Sequence, residues 1–272
     1  MPPPELMRVA VYRRSVAASA ERVWENVRDW EHLPWLHRSS FRSIERLDEG
    51  DWGWRARIGL QPGGGAEIVL ELRIEPNRYV SRTLEGPGTR SEIWTRLRPV
   101  AADRTEIEVE FWLPGVDPAR APGLRAAYTR LYRRLWDEDE AMMVRRAALL
   151  APQAPAAQAA LALGSRGALR ARLPLCVDWG GRRWRIVELA GELVVHAAVC
   201  PHALGPLDEA AVDADGCVRC PWHGYRFDLR SGASADGRRL RLARPPRLEV
   251  AADGGVWLGA APPSLSSAPA AR

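Results

Sequence analysis

Residues 199–232, VCPHALGPLDEAAVDADGCVRCPWHGYRFDLRSG, contain two short loops that each offer one thiolate and one imidazole. Cys200 and His202 lie in the first loop, Cys220 and His223 lie in the second, and seventeen residues separate His202 from Cys220. Two cysteines and two histidines are suitable ligands for either a zinc ion or an iron–sulfur cluster. The two loops therefore predict a metal site in this stretch, with both kinds of metal still open.

The residues next to the four ligands distinguish the two kinds of metal. The C-P-H loop and the C-P-W-H-G-Y-R-F-D loop resemble those of the Rieske family, in which a Cys2His2 set holds a [2Fe–2S] cluster. The resemblance implies that Cys200 and Cys220 bind one iron, while His202 and His223 bind the other. Replacing thiolate by neutral imidazole raises the reduction potential above that of an all-cysteine ferredoxin.

Other loop residues refine the resemblance. We expect Gly205 and Gly224 to lie where backbone passes close to a cluster, because glycine tolerates the tight dihedral angles required. We expect Leu204 and Trp222 to shield the sulfides from water. Rieske proteins of respiratory complexes carry two further loop cysteines that form a disulfide. Pro206 and Trp222 occupy those places here, so we expect no disulfide.

The second loop also differs from that of the respiratory proteins, which place a serine and a tyrosine beside the cluster. Tyr225 and Phe227 stand in the comparable places here. Fewer hydrogen-bond donors toward sulfur stabilise the reduced state less, so the resemblance is to the lower-potential oxygenase and ferredoxin branch. We interpret Cys217 as a strand residue and Cys176 as a small buried apolar residue.

The composition predicts two domains and argues against nucleic-acid and membrane binding. A chain of 272 residues accommodates two ordinary domains. Its basic residues are all arginines and are interleaved with acids, so no basic stripe indicates DNA or RNA binding. Neither a signal-peptide core nor an 18-residue apolar run is present, which predicts a cytoplasmic protein.

Residues 5–150 show the pattern of one strand, short helices, six further strands and a long final helix. Ser19 is a suitable N-cap for a helix carrying Val23 and Val27, which we expect to end near Leu33, before Pro34. Turn signals such as DEGD, QPGGG and EGPG separate the strand-like runs. The final helical pattern spans about 118–150, with one apolar face made of Leu124, Tyr128, Leu131, Leu135 and Met142.

This order of elements, together with the stretch VAASAERVWENVRDWEHLPWLH at 16–37, resembles START-like, polyketide-cyclase-like (SRPBCC) domains. The resemblance implies a helix-grip fold, in which a curved antiparallel sheet wraps the last helix and leaves an apolar cavity. The predicted fold class is α+β, a helix-grip domain followed by a small all-β Rieske domain. Such domains mostly bind lipophilic small molecules.

The catalytic domains of Rieske oxygenases place a non-haem iron inside the same fold, bound by two histidines and one carboxylate. The sequence D-x2-H-x4-H at Asp29, His32 and His37 resembles the iron-binding run of that family, in which both histidines are ligands. In that family the aspartate forms hydrogen bonds to a Rieske histidine. The family's carboxylate comes from the final helix, where Glu138 and Asp139 flank the inner face by about 50° on either side at 100° per residue. This pair, followed by apolar residues, resembles the family's carboxylate segment, which favours Asp139 as the ligand and leaves Glu138 as the alternative.

A metal-free ligand-binding cavity remains the alternative for the first domain. Cavity-binding relatives often carry a similar pattern after the first helix, and acid clusters on helices are usually solvated. Two departures from the oxygenase pattern also stand out. The Rieske loops follow the helix-grip domain here, which reverses the usual order, and the first domain is short for a catalytic domain.

The rest of the sequence predicts a linker, a small β domain and a tail. Residues 151–168 are rich in alanine, proline and glutamine, which is typical of a linker. Short strands and turns from 169 to 259 predict the all-β Rieske domain. Residues 260–272 are expected to be disordered.

Two functional hypotheses follow. The first is an oxygenase-like enzyme with a [2Fe–2S] cluster and mononuclear Fe(II), fed by a separate reductase or ferredoxin and acting on an apolar small molecule. The second is a non-catalytic Rieske electron-transfer protein joined to a hydrophobic-ligand-binding domain. By resemblance to trimeric relatives, a homo-oligomer is also expected.

Overall fold

The computed structural model describes residues 5–61, 64–152, 159–251 and 254–259 of the chain. These residues divide into two compact units, Met1–Leu150 and Ala151–Arg272. The predicted tail at 260–272 lies outside the described residues. None of the helices in the described part of the chain combines the length and the apolar character that a membrane crossing needs.

The N-terminal unit is a seven-stranded antiparallel sheet with a long C-terminal helix. The strands follow the order β1-β7-β6-β5-β4-β3-β2 across the sheet. Their bounds are β1 Leu6–Val16, β2 Phe41–Gly50, β3 Gly53–Leu60, β4 Glu67–Glu75, β5 Arg78–Glu85, β6 Glu92–Ala101 and β7 Arg104–Pro114. The helices are α1 Ala20–Arg28, α2 Leu33–Leu36 and α3 Ala121–Leu150, the last preceded by a 3₁₀ turn at Pro118–Arg120. This is the predicted helix-grip order.

The first helix is shorter than predicted. Ser19 caps α1 as expected, its side chain accepting a hydrogen bond from the Arg22 N–H. The helix ends at Arg28, because Asp29 leaves helical geometry (φ −84°, ψ 87°) and its N–H caps the last turn. Pro34 does not end α1 but lies in the first turn of α2, where its missing N–H costs no hydrogen bond.

Helix α3 packs one face against the sheet. Trp136 and Met143 are buried in the core, and Phe111 of β7 contacts the rings of Tyr128 and Tyr132 at centroid distances of 4.7 and 4.6 Å. The predicted apolar face contained Leu131 and Leu135 but neither Tyr132 nor Trp136, so the face that packs is rotated slightly from the prediction. Tyr128, Tyr132, Trp136 and Met143 follow one another at intervals of four, four and seven residues, which keeps these side chains on one side of the helix.

The C-terminal unit consists of three small antiparallel sheets, ordered β11-β10-β9, β12-β13 and β14-β15-β8. Their bounds are β8 Leu161–Ser165, β9 Leu175–Trp179, β10 Arg182–Leu189, β11 Glu192–Ala197, β12 Cys217–Arg219, β13 Arg226–Asp228, β14 Leu248–Val250 and β15 Gly255–Leu258. One short helix, α4 Arg166–Arg170, interrupts the strands. The fold class is therefore the predicted one, α+β followed by a mainly β region.

The predicted linker at 151–168 is too long. Its second part contains β8 and the start of α4, and β8 pairs antiparallel with β15 at the other end of the unit. Leu163 is 4% exposed, so this alanine-rich segment contributes to the core. Residues 153–158 of the predicted linker lie outside the described residues.

Candidate functional site

The two loops of the C-terminal unit place all four predicted cluster ligands beside one another. Cys200 and His202 follow β11, and the loop between β12 and β13 carries Cys220 and His223. Each loop is closed by a backbone hydrogen bond of 2.9 Å from its cysteine N–H, to the Gly205 carbonyl in the first loop and to the Tyr225 carbonyl in the second. The His202 and His223 rings lie edge to face with centroids 4.5 Å apart.

The four ligand side chains differ in their exposure to solvent. Cys200, Cys220 and His223 are buried, whereas His202 is exposed. Cys200 and Cys220 interact directly: the hydrogen bond between their sulfurs lowers the pKa of Cys220 and raises that of Cys200, which retains the shared proton. Metal ions bind the deprotonated thiolate, so a cysteine that ionises readily is a suitable ligand.

Gly205 provides space that a side chain would fill. A Cβ atom at this position would lie 2.6 Å from the Cys220 Sγ and 3.2 Å from the Trp222 ring. Trp222 is buried and Leu204 is half-buried, as expected of residues that shield a cluster. The donor set and this close approach of the two loops fit a [2Fe–2S] cluster held by Cys200, Cys220, His202 and His223.

An aromatic ring and then a guanidinium group stack on the exposed His202. The Tyr225 ring stacks on His202 with centroids 4.4 Å apart and an interplanar angle of 29°. On Tyr225 lies the Arg238 guanidinium, whose Cζ is 3.8 Å from the ring centroid. No local sequence signal indicates this contact of Arg238 with the second loop.

The remaining cysteines are separate from this arrangement. All four cysteines lie in described residues, and all four are free thiols, so no disulfide is present there. Cys217 is a buried residue of β12, as predicted. Cys176 was predicted to be buried but is only half-buried in β9, where its thiol contacts the Asp208 carbonyl at 3.7 Å.

A second group of metal-binding side chains lies in the N-terminal unit. The short helix α2 places His32 at its N-terminal end and His37 at its C-terminal end, and α3 contributes Asp139. One ligand atom from each of these three buried residues lies within 4.8 Å of the others. We call this group the His–Asp–His triad.

The triad is centred on one carboxylate oxygen. The Asp139 Oδ1 is 3.1 Å from the His37 Nε2 and 3.5 Å from the His32 Nε2. Burial alone would lower the pKa of His37, but hydrogen bonds and charges of Asp139 and Glu138 outweigh it and raise that pKa. Burial would likewise raise the pKa of Asp139, but the hydrogen bond with His37 and the charge of that ring outweigh burial and lower the pKa. Two imidazoles and one carboxylate in this arrangement fit a 2-His-1-carboxylate iron site.

Each triad histidine also has a carboxylate beside its other ring nitrogen. The Glu138 Oε2 lies 2.6 Å from the His37 Nδ1, and the Asp29 Oδ2 lies 3.8 Å from the His32 Nδ1. Glu138, the alternative ligand in the sequence analysis, thus contacts the outer side of His37. Asp137 and Glu140, the acids on either side of this pair in α3, contact Arg14 of β1.

A cavity of about 130 Å³ lies against the triad, which forms part of its lining. Its apolar wall includes Phe41, Trp54, Ile58, Leu70, Leu72 and Trp136. The cavity is less apolar than predicted, because Tyr79, Ser81 and Tyr132 also line it. Burial raises the pKa of Tyr79 and of Tyr132, so both phenols stay protonated and can donate hydrogen bonds. Sequence periodicity did not identify either tyrosine as a cavity residue.

Comparison with known proteins agrees with both units. The family described as Rieske [2Fe-2S] domain matches residues 160–245, and the family described as polyketide cyclase / dehydrase and lipid transport matches residues 7–139. Pheophorbide a oxygenase, chloroplastic, from Oryza sativa subsp. japonica is 37% identical over 64 residues. That match covers 21% of this chain and 12% of the rice protein, so the chain spans a small part of that relative.

Two solved structures are similar to the separate units. A START superfamily protein from Mycobacterium smegmatis is 19% identical, with a TM-score of 0.43, and the match covers 50% of this chain and 96% of that one. The ferredoxin of carbazole 1,9a-dioxygenase from Nocardioides aromaticivorans IC177 is 24% identical, with a TM-score of 0.29, over 32% of this chain and 84% of that one. The family matches therefore assign a polyketide cyclase/SRPBCC domain to residues 7–139 of this chain and a Rieske [2Fe-2S] domain, which implies a [2Fe–2S] cluster, to residues 160–245.

Proposed function

We propose that the protein is a Rieske oxygenase-like oxidoreductase that hydroxylates or demethylates a small, largely apolar molecule bound beside His32, His37 and Asp139. The observation that supports this proposal is the convergence of three metal-binding atoms within 4.8 Å at the wall of a cavity. When bound, the [2Fe–2S] cluster supplies one-electron transfer, and Fe(II) at the triad supplies open positions for dioxygen.

The overall hydroxylation is balanced in atoms and electrons. One substrate C–H, one dioxygen, two electrons and two protons give one C–OH and one water. A separate reductase or ferredoxin supplies the electrons. We propose that it delivers them to the cluster held by Cys200, His202, Cys220 and His223, and that the exposed histidine edge passes them on toward the triad. Asp29 would form the hydrogen-bonded bridge to that histidine, of the same chain or of a second copy in a homo-oligomer. The position of Asp29 beside the His32 Nδ1 supports that role.

The protein's own residues shape the substrate site. Ile58 and Trp54 of β3 are buried and keep water from one wall of the cavity. The neutral hydroxyls of Tyr79 and Tyr132 are available as hydrogen-bond donors to an acceptor on the substrate. A cavity of about 150 Å³ holds one benzene molecule, so the 130 Å³ found here favours a substrate about the size of a single ring.

Counting iron tests the proposal. Protein isolated anaerobically with iron and sulfide is expected to hold about three irons per chain, two in the cluster and one at the triad. His32→Ala and Asp139→Ala should each remove only the third iron and leave the visible spectrum of the cluster unchanged. Asp137→Asn, an exposed neighbour on α3, is the matched control and should retain all three. An iron content that neither triad substitution changes would contradict the catalytic assignment.

The second candidate is a Rieske electron carrier joined to a metal-free ligand-binding domain. One observation favours it: the Asp139 Oδ1 lies within 3.5 Å of the Nε2 atoms of both imidazoles, so pairing with histidine can also balance the charge of this buried carboxylate. This alternative predicts about two irons per chain, all in the cluster, in wild type and in both triad variants. The same measurement therefore separates the two functions.

A further inference from the structure

Glu138 makes the shortest contact with a triad side chain, although it is not itself one of the three triad residues. Its Oε2 lies 2.6 Å from the His37 Nδ1. The His37 side chain is 2% exposed, so this contact is formed at the edge of the protein interior. The flanking acids on α3 have other partners, since Asp137 and Glu140 both pair with Arg14.

His37 has a carboxylate beside each ring nitrogen, and carboxylates only accept hydrogen bonds. The Nδ1–Glu138 contact is the shorter one, 2.6 Å against 3.1 Å from Nε2 to Asp139, and it therefore favours hydrogen on Nδ1 when the ring is neutral. In that tautomer the lone pair lies on Nε2. The contact therefore holds the ring in the tautomer and orientation in which Nε2 can bind a metal.

The carboxylate beside His32 is more distant than the one beside His37. The Asp29 Oδ2 is 3.8 Å from the His32 Nδ1, which exceeds hydrogen-bond length. Of these two carboxylate–imidazole contacts, the one made by Glu138 has hydrogen-bond geometry. This difference makes Glu138 the stronger candidate for a residue that acts through a ligand.

We infer that Glu138 is a positioning residue: it accepts the hydrogen bond from His37 Nδ1 and thereby increases the affinity of the triad for a divalent metal ion. The inference rests on the proposed function, because it requires that the triad binds metal. It assigns Glu138 a place outside the ligand set, with Asp139 as the carboxylate that binds directly. Partners of this kind typically change metal affinity 10–100-fold.

Titration with Mn(II) tests this inference on the full chain. Metal is first removed from the triad, and the cluster is kept oxidised, because the oxidised cluster gives no EPR signal. The EPR signal of free Mn(II) then reports binding. Glu138→Ala is expected to weaken Mn(II) binding about 10–100-fold, and Glu138→Gln, which keeps an acceptor oxygen, should restore part of it. Asp137→Asn is the matched control and should bind as wild type does.

Nitrogen-15 NMR of histidine-labelled protein adds a readout of the tautomer. At a pH above the raised pKa of His37, where the ring is neutral, wild type should show hydrogen on Nδ1, and Glu138→Ala should shift it toward Nε2, which faces Asp139. Unchanged Mn(II) affinity in Glu138→Ala would overturn the inference while leaving the proposed function intact. Loss of binding as complete as in Asp139→Ala, without rescue by glutamine, would overturn it in favour of direct ligation. Absence of Mn(II) binding in wild type would defeat the proposed function and the inference together.

Discussion

The two candidate metal sites are built in contrasting ways. The cluster loops lie within 24 residues of sequence, from Cys200 to His223, and are closed by their own backbone hydrogen bonds. The triad joins His32 and His37 to Asp139, more than a hundred residues away on α3. The first site depends on local backbone geometry, whereas the second depends on how a helix packs against a sheet. Substitutions should therefore affect them by different routes.

The largest effect is expected at the close approach of the two cluster loops. In Gly205→Ala the new methyl group would lie 2.6 Å from the Cys220 Sγ, so the loops must separate. We expect loss of the cluster, measured as loss of visible absorbance and of the two cluster irons. Gly167→Ala in α4 is the matched control, because a Cβ there meets nothing within 4 Å. Full cluster content in Gly205→Ala would show that the loops are less constrained than this geometry indicates.

The next effect concerns pH, to which the two units should respond in opposite directions. Burial lowers the pKa of His196 in β11 to about 4, from an ordinary 6.5. As pH falls below 6.5 the unfolded chain binds the proton first, so the C-terminal unit should lose up to about 3 kcal/mol between pH 6.5 and 4. His196→Leu should flatten this dependence, measured by urea unfolding with hydrogen exchange of peptides from each unit.

In the N-terminal unit His37 gives stability the opposite dependence on pH. Its folded pKa is raised, so its contribution to stability is fully present below pH 6.5 and is lost as pH rises through that folded pKa. EDTA-treated protein should therefore show an N-terminal unit that is less stable at pH 8 than at pH 6. Parallel pH dependence of the two units would refute the contrast.

A smaller effect is expected in ligand selection by the cavity. Single-ring compounds should bind at least about tenfold more tightly than two-ring compounds, a difference of about 1.4 kcal/mol. Thermal shift at matched ligand concentrations measures this preference. Leu70→Ala enlarges the lining and should improve binding of the two-ring compound relative to the single-ring one. A wild-type preference for the larger ligand would show that the 130 Å³ cavity does not set the size limit.

What could be predicted from the sequence follows the same division. The spacing of cysteine and histidine in the cluster loops is a local pattern, and it is sufficient by itself to indicate the Rieske family. Ser19 was predicted as the N-cap of α1 and does cap it, because a capping signal is local as well. Helical periodicity placed Glu138 and Asp139 equally close to the inner side of α3, and the resemblance to the oxygenase family then favoured Asp139.

The features that were missed depend on distant partners. Strand β8 was assigned to the linker, because it directly follows an alanine-rich stretch and its partner strand, β15, lies about ninety residues later. Tyr132 contacts Phe111 and the cavity, which periodicity alone does not reveal. The contact between Glu138 and His37 depends on side-chain rotamers at both ends, so the sequence offered Glu138 only as an alternative ligand.

The pairing of β8 with β15 has a practical consequence for dissecting the protein. The strand nearest the start of the C-terminal unit and the strand nearest its end lie side by side, with β15 between β8 and β14. A fragment that begins at the boundary predicted from sequence, Leu169, would lack β8 and expose the buried side of Leu258. An excised electron-transfer half must therefore start upstream of Leu161. Because its two ends already meet in one sheet, it is also well suited to insertion into a surface loop of another protein.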